Sequence, residues 1–220
     1  SLAVAITDNP KIVAPVNEID FNIKLPFNDV KALEEAFSDD ICCVIVEGIQ
    51  GISGIFEASE EFLTAIRSLC DKHNATFILD SVQCGYGRSG KFFASDRYGI
   101  DADIYTTAKA MANGFPIGGV IISPKFEASY GMLGTTFGGS HLACSAALAV
   151  LEVYEEENLM QNATEVGQYA IEELQKINGV KEVRGRGLII GIELDQPAAP
   201  IRKALLFEDK IFTGSAAQPN

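Results

Sequence analysis

The chain has 220 residues, 47 % of them hydrophobic and 21 % charged, with 17 basic against 30 acidic side chains and a formal net charge of −13. That length allows a sizeable core, and the acidic balance argues against a nucleic-acid surface, whose footprint is basic. No apolar run approaches the roughly 20 residues that span a bilayer, and no stretch is expected to act as a signal peptide.

The chain opens SLAVAI, apolar and without Met, which raises the expectation that residues precede it. Asn28 is placed to cap a helix carrying Val30, Leu33 and Phe37. Residues 41–46 form a continuous apolar run, expected as a strand buried on both faces. Within it Cys42 and Cys43 read as small core residues. The five cysteines, the others being Cys70, Cys84 and Cys144, contain no Cys-x-x-Cys pair. That usage fits a reducing cytosol, and with only His73 and His141 beside it no zinc site is expected. Ser59 can cap a helix whose Phe62, Leu63, Ile66, Leu69 and Cys70 share one side. Short strands follow at 76–80, 103–106 and 120–123. Strands separated by helices predict parallel crossovers and an α/β sheet. Residues 141–156 are Ala-rich and apolar nearly all round at first, so that helix is expected to be buried. Asn158 with Gln161 resembles a capping box for a helix with Leu159, Ala163, Val166, Ala170, Leu174 and Ile177 in one stripe, ending at Gly179. Residues 187–194 read as a strand, and a domain boundary is expected near 153.

Chemistry concentrates in two stretches. Gly85-Tyr86-Gly87-Arg88-Ser89-Gly90 is a formal G-x-G-x-x-G, with Asp103 as the acidic residue of a dinucleotide fingerprint. Four residues separate the strand from Gly85, however, no helical stripe follows in 91–99, and Asp80 at the strand's end would repel a phosphate. A glycine-rich turn is the better reading. Asp80 can be a turn former, or an anion at the C-terminal edge of a parallel sheet, where ligands bind. The second stretch is IYTTAKAMANGFPIGG, residues 104–119, whose one charged side chain is Lys109. A lone lysine among small residues can snorkel to water or hold an amine in a pocket for Schiff-base chemistry. Asp80 and Lys109 at one sheet edge can face a single ligand, the carboxylate toward a protonated ring nitrogen and the amine toward an aldehyde.

Four ordered stretches, VIVEGIQG (44–51), FILDSVQCGYGRSGKFFA (77–94), TAKAMANGFPIGG (107–119) and GTTFGGSHLAC (134–144), resemble the class III, ornithine-type, pyridoxal-phosphate-dependent aminotransferases, with closest similarity to the acetylornithine and succinylornithine aminotransferase branch. The resemblance implies fold type I, the aspartate-aminotransferase-like α/β fold, with a mainly parallel sheet and flanking helices. Residues 1–152 would be the later half of the large cofactor domain and 153–220 the beginning of a small α+β C-terminal domain. It also implies roles. Lys109 forms the Schiff base with pyridoxal 5'-phosphate and shuttles the proton, and Asp80 pairs with the pyridinium nitrogen. Val82 packs on the ring, Gln83 approaches its phenolic oxygen, and Thr136 binds the phosphate across a homodimer interface. The implied reaction moves an amino group between an N-acylated ornithine and 2-oxoglutarate, in the arginine biosynthesis of the cytoplasm. Departures from the family pattern are Ser81 and Ile52 in place of Glu, Gly48 in place of Pro, and Ser140-His141 after the Gly-Gly pair; for His141 a capping or packing role is preferred to catalysis. The family's phosphate loop and substrate-carboxylate arginines would lie upstream of Ser1, so residues 1–220 alone are expected to be inactive. Other readings are another ω-amine transaminase or aminomutase, a nucleotide-binding dehydrogenase domain, and an inactive remnant.

Overall fold

The computed structural model describes residues 21–216, so the opening SLAVAI lies outside the described residues. Four strands, β1 (Cys43–Glu47), β2 (Thr76–Asp80), β3 (Ile104–Thr107) and β4 (Gly119–Ile122), form one sheet in the order β1-β2-β3-β4. The pairs β1–β2 and β2–β3 are parallel, whereas β4 runs antiparallel to β3. The parallel register sets Glu47 beside Asp80 and Asp80 beside Thr106, so three strand ends share the C-terminal edge. Helices α1 (Val30–Ala36) and α2 (Glu60–His73) supply the core with Leu33, Phe62, Leu63, Ile66 and Cys70, packed on Phe77, Leu79 and Tyr105.

Helix α2 is specified at both ends. Ser59 Oγ accepts from Phe62 N at 3.1 Å, and Glu60 and Glu61 stand at the positive end of the dipole. Asn74, at φ 52, ends the helix by donating its N–H to Cys70 O. For α1 the cap lies one residue later than expected. Asp29, in extended conformation, accepts from Ala32 N at 2.9 Å. Asn28 takes the left-handed conformation that its short amide tolerates, and its side chain bridges Glu57 O and Ser59 N, both at 2.9 Å.

Three burial expectations change. Strand β1 is half-buried at every position because it forms an edge of the described sheet. Cys42 is therefore exposed and Cys43 half-buried, and neither is a core residue. Helix α3 (His141–Glu156) buries only Ala143 and Ala147, leaving Leu142 and Leu148 more than half exposed among the described residues. Helix α4 (Leu159–Leu174) has no capping box. Asn158 is left-handed with no side-chain cap, and Gln161 Nε2 donates to Glu165 instead.

The chain ends in a hairpin, β5 (Val180–Arg186) with β6 (Ile189–Leu194), followed by α5 (Ala198–Phe207). Strand β5, VKEVRGR, is too polar to announce itself by alternation. It is held by pairing with β6 and by Arg184, which bridges Glu182 at 2.6 Å and Glu193 at 2.7 Å. The hairpin and α3–α4 pack on the glycine-rich turn. Leu188 N donates to Arg88 O at 2.9 Å, and the Tyr154 hydroxyl donates to Tyr86 O. Gly90 sits at φ 82, and a Cβ there would lie 2.2 Å from Thr164 Oγ1. The G-x-G-x-x-G is thus a docking surface for later elements, with no helix opening from it.

Candidate functional site

The site grows from the C-terminal edge of the sheet. At the end of β2 the Asp80 Oδ1 accepts from Val82 N at 3.0 Å, an Asx-type turn that holds the carboxylate at the edge. Ser81 N donates to Thr106 O at 2.9 Å, tying the turn to β3, and Gly85 N closes it on Ser81 O at 3.0 Å. Ser81 itself is 1 % exposed and faces inward, away from solvent.

Lys109 lies two residues past the end of β3, after Ala108, and opens a short 3-10 turn, Lys109–Ala112. Its φ of 47 is unusual for a residue with a side chain, and such backbone strain clusters at ligand clamps and active sites. Lys109 Nζ donates to Gln83 Oε1 at 3.4 Å, joining the loop after β2 to the loop after β3. A third segment, after β1, completes the group. Glu47 Oε1 accepts from Gly51 N at 3.3 Å, and the Gly51 Cα presses on the Gln83 amide so closely that a Cβ would lie 2.1 Å from Gln83 Oε1. Gly51 was not anticipated as a site residue, because its role exists only through this approach across two loops. Glu47, the last residue of β1 at the ligand-binding edge, was the signal that could have drawn attention to it.

Asp80, Val82, Gln83 and Lys109 all line one cleft of about 1100 Å³, together with Gln50 and Ile52. Lys109 is exposed within it, and Val82 and Gln83 are half-buried. Thr136 does not join them; it is exposed in the connection between β4 and α3. Ser140 N-caps α3 without a side-chain hydrogen bond, and His141 is the exposed first residue of that helix. Asp103 lies elsewhere too. It accepts from Phe77 N at 2.8 Å and faces Arg67 at 3.2 Å and Lys125 at 3.4 Å. Burial acts to raise its pKa, but the Phe77 N–H, Arg67 and Lys125 outweigh burial and hold the carboxyl below its ordinary range. Asp103 therefore fastens β3 to β2 and cannot serve a ribose, which removes the dinucleotide reading. The Cys84 thiol, beneath the cleft, is pushed up to about 11 chiefly by burial and is no nucleophile.

The cleft's donor set fits pyridoxal phosphate: an amine for the aldehyde, a fixed carboxylate for a protonated ring nitrogen, an amide between them, and a half-buried valine able to face a flat ring. Among the described residues no helix is long and apolar enough to cross a membrane.

Comparison with known proteins agrees. The family described as aminotransferase class-III, whose members are pyridoxal-phosphate-dependent, matches residues 5–210. The chain is 47 % identical over 188 residues to an acetylornithine aminotransferase of Methanocaldococcus jannaschii, covering 83 % of this chain and 47 % of the relative. It is 45 % identical over 187 residues to ornithine aminotransferase 2 of Staphylococcus aureus, with the same coverage. Among solved structures it is similar to the ornithine δ-aminotransferase of Plasmodium falciparum, with TM-score 0.81 and 32 % identity over 89 % of this chain and 53 % of that one. It is also similar to the acetylornithine aminotransferase of Elizabethkingia anophelis, with TM-score 0.78 and 32 % identity over 90 % of this chain and 53 % of that one. The chain thus spans about half the length of the relatives it matches, and on the extent of the family match and these identities it belongs to the class-III aminotransferases.

Proposed function

We propose that this chain is part of an aminotransferase that moves the terminal amino group of an N-acylated ornithine to 2-oxoglutarate, giving an aldehyde and glutamate. The carrying observation is the convergence of three loops at one sheet edge, with Lys109 Nζ 3.4 Å from Gln83 Oε1 and Asp80 in the same cleft. Pyridoxal phosphate, when bound, supplies an electron sink for the carbanion at the reacting carbon. Lys109 holds the amine and carries the proton taken from that carbon. Gln83 orients the lysine. Asp80, anchored by Val82 N, presents a fixed anion to a protonated ring nitrogen, and Val82 covers one face of the ring.

Thr136, on an exposed connection, is suited to donate to the cofactor phosphate of a second subunit, which makes the working enzyme a homodimer. Residues 1–152 form the later half of the large domain and 153–220 the beginning of the small one. The acylated substrate is the ground for a place in arginine biosynthesis, and the cysteine usage is the ground for the cytoplasm. The similarity to ornithine aminotransferase 2 favours a second reading, with free ornithine as donor. A full-length enzyme containing this chain, assayed for glutamate formation from 2-oxoglutarate, should accept Nα-acetyl- or Nα-succinylornithine with higher kcat/KM than ornithine. A preference for ornithine would establish the second reading, and no turnover of any of the three would refute both.

A further inference from the structure

The loop that carries Gly51 is closed at its base. Ile49 and Glu57 form an antiparallel bridge, Gln50 N donates to Phe56 O at 2.8 Å, and Ala58 N donates to Gly48 O at 2.9 Å. Gly51 therefore stands two residues along one arm from the rung that holds Glu57, about 7 Å at the rise of a strand. The Glu57 carboxylate gathers three parts of the chain. Arg186 of β5 donates from Nε to both of its oxygens, at 2.8 and 2.7 Å. Arg97, in the 3-10 turn Ala94–Arg97, pairs with Oε1 and also donates to Ser89 O at 3.4 Å, in the glycine-rich turn. The Tyr98 hydroxyl donates to Oε1 at 3.3 Å. The hairpin grips the loop again nearer its tip, where Arg184 Nε donates to Gly54 O at 3.1 Å and the guanidinium lies 4.6 Å from the centre of the Phe56 ring. Neither Glu57 nor any of these arginines lines the cleft.

We propose that Glu57 is a positioning residue for the Lys109 amine, acting through this loop and Gln83. The proposal rests on the role given to Lys109 above. One carboxylate between two guanidiniums fixes the base of the loop against the hairpin and the 3-10 turn. The placement passes along the arm to Gly51, whose approach to the Gln83 amide leaves no room for a Cβ, and Gln83 Oε1 accepts from Lys109 Nζ at 3.4 Å. A neutral residue at 57 leaves Arg97 and Arg186 converging on no anion, and like charges so placed repel. The hairpin and the loop then part, and Gly51 ceases to confine Gln83. Removing Arg186 changes the charge in the opposite sense but has the same mechanical result, because it cuts the hairpin's hold on Glu57. The charged groups that line the cleft with Lys109, namely Lys24, Asp40, Glu47 and Asp80, are untouched by either change.

The test uses a full-length enzyme containing this chain, stripped of cofactor, and reads by absorbance the pH midpoint at which it captures pyridoxal phosphate on Lys109. A hydrogen bond accepted from an ammonium favours the protonated amine, so losing Gln83 as acceptor lowers that midpoint. Glu57→Gln and Arg186→Gln are each expected to lower it by about half a unit to one unit, the size of one net hydrogen bond. Neither is expected to lower it further in a Gln83→Ala background. Long-range charge alone would move the midpoint in opposite directions, since one variant loses an anion and the other a cation. Opposite shifts, or shifts that persist in full without Gln83, overturn the proposal. So does a fall in thermal stability with the midpoint unchanged, which would make Glu57 a structural brace. Arg186 is half-exposed, so Arg186→Gln with its Gln83→Ala partner decides the matter should Glu57→Gln fail to fold. If the wild type captures no pyridoxal phosphate on Lys109, the amino-transfer reading fails and the proposal fails with it.

Discussion

Asp80 and Lys109 could be singled out from the sequence on elementary grounds. One is an acid at the end of a short apolar strand, and the other is the single charge in sixteen residues. Val82, Gln83 and Thr136 could not, since nothing in a valine, a glutamine or a loop threonine announces chemistry; only the motif around each drew attention to it. Asp80→Asn separates the two possible roles of that residue. The amide oxygen can still accept from Val82 N, so the turn and the fold should survive, but the anion is lost. Charge-assisted pairs contribute about 1.5–3 kcal/mol, so kcat of the longer enzyme should fall tenfold to a hundredfold or more; unchanged turnover would show Asp80 to be a turn former alone. Gly51→Ala tests the positioning of Gln83. The new Cβ meets the far end of a flexible side chain, so the amide swings away at little cost to stability, under about 1 kcal/mol in thermal unfolding. The Lys109 hydrogen bond is lost, and the pH profile of kcat should shift while KM changes less; a profile like that of the wild type would mean Gln83 does not position the lysine.

At the scale of elements, the sheet and α2 were legible because their signals are local: apolar runs, a serine cap, charges of the right sign in the end turns. Helix α3 misled because an apolar helix was assumed to be covered within the chain, and β5 escaped because charged pairs across the hairpin, rather than alternation, stabilise it. The glycine-rich turn was correctly set apart from nucleotide loops, but its positive use, giving α4 and the hairpin a surface without side chains, depends on contacts between distant parts of the chain. Gly90→Ala should therefore destabilise the protein by about 2–4 kcal/mol, combining left-handed strain with overpacking against Thr164. Thermal unfolding reads the loss, and a stable variant would contradict the docking role. Asp103 gives a pH-dependent counterpart. Its folded pKa is lowered, so its contribution is fully present above the unfolded carboxylate value near 4 and is lost as pH falls through the folded value. Asp103→Asn should cost about 2 kcal/mol at pH 7 and flatten the acid limb of a stability–pH curve measured in urea. An equal slope in both proteins would deny Asp103 that role.

At the scale of the whole molecule, the described residues leave much apolar surface open. Strand β4 exposes Val120, Ile121 and Ile122, α3 exposes Leu142 and Leu148, and Phe137 stands out from the connection between them. The chain spans about half the length of its relatives, and the homodimer proposed above would cover part of that surface. Residues 1–220 expressed alone should show no useful transamination, and the longer protein should show it; strong activity from the shorter chain would mean that the phosphate anchor lies within it. The identity of the reactive amine decides more than any other observation, because the proposed reaction rests on Lys109, the amine that lines the cleft on left-handed backbone. Borohydride reduction of the cofactor-loaded longer enzyme, followed by peptide mapping, should find the pyridoxyl group on Lys109, and a label on Lys91 or any other lysine would contradict the site described here.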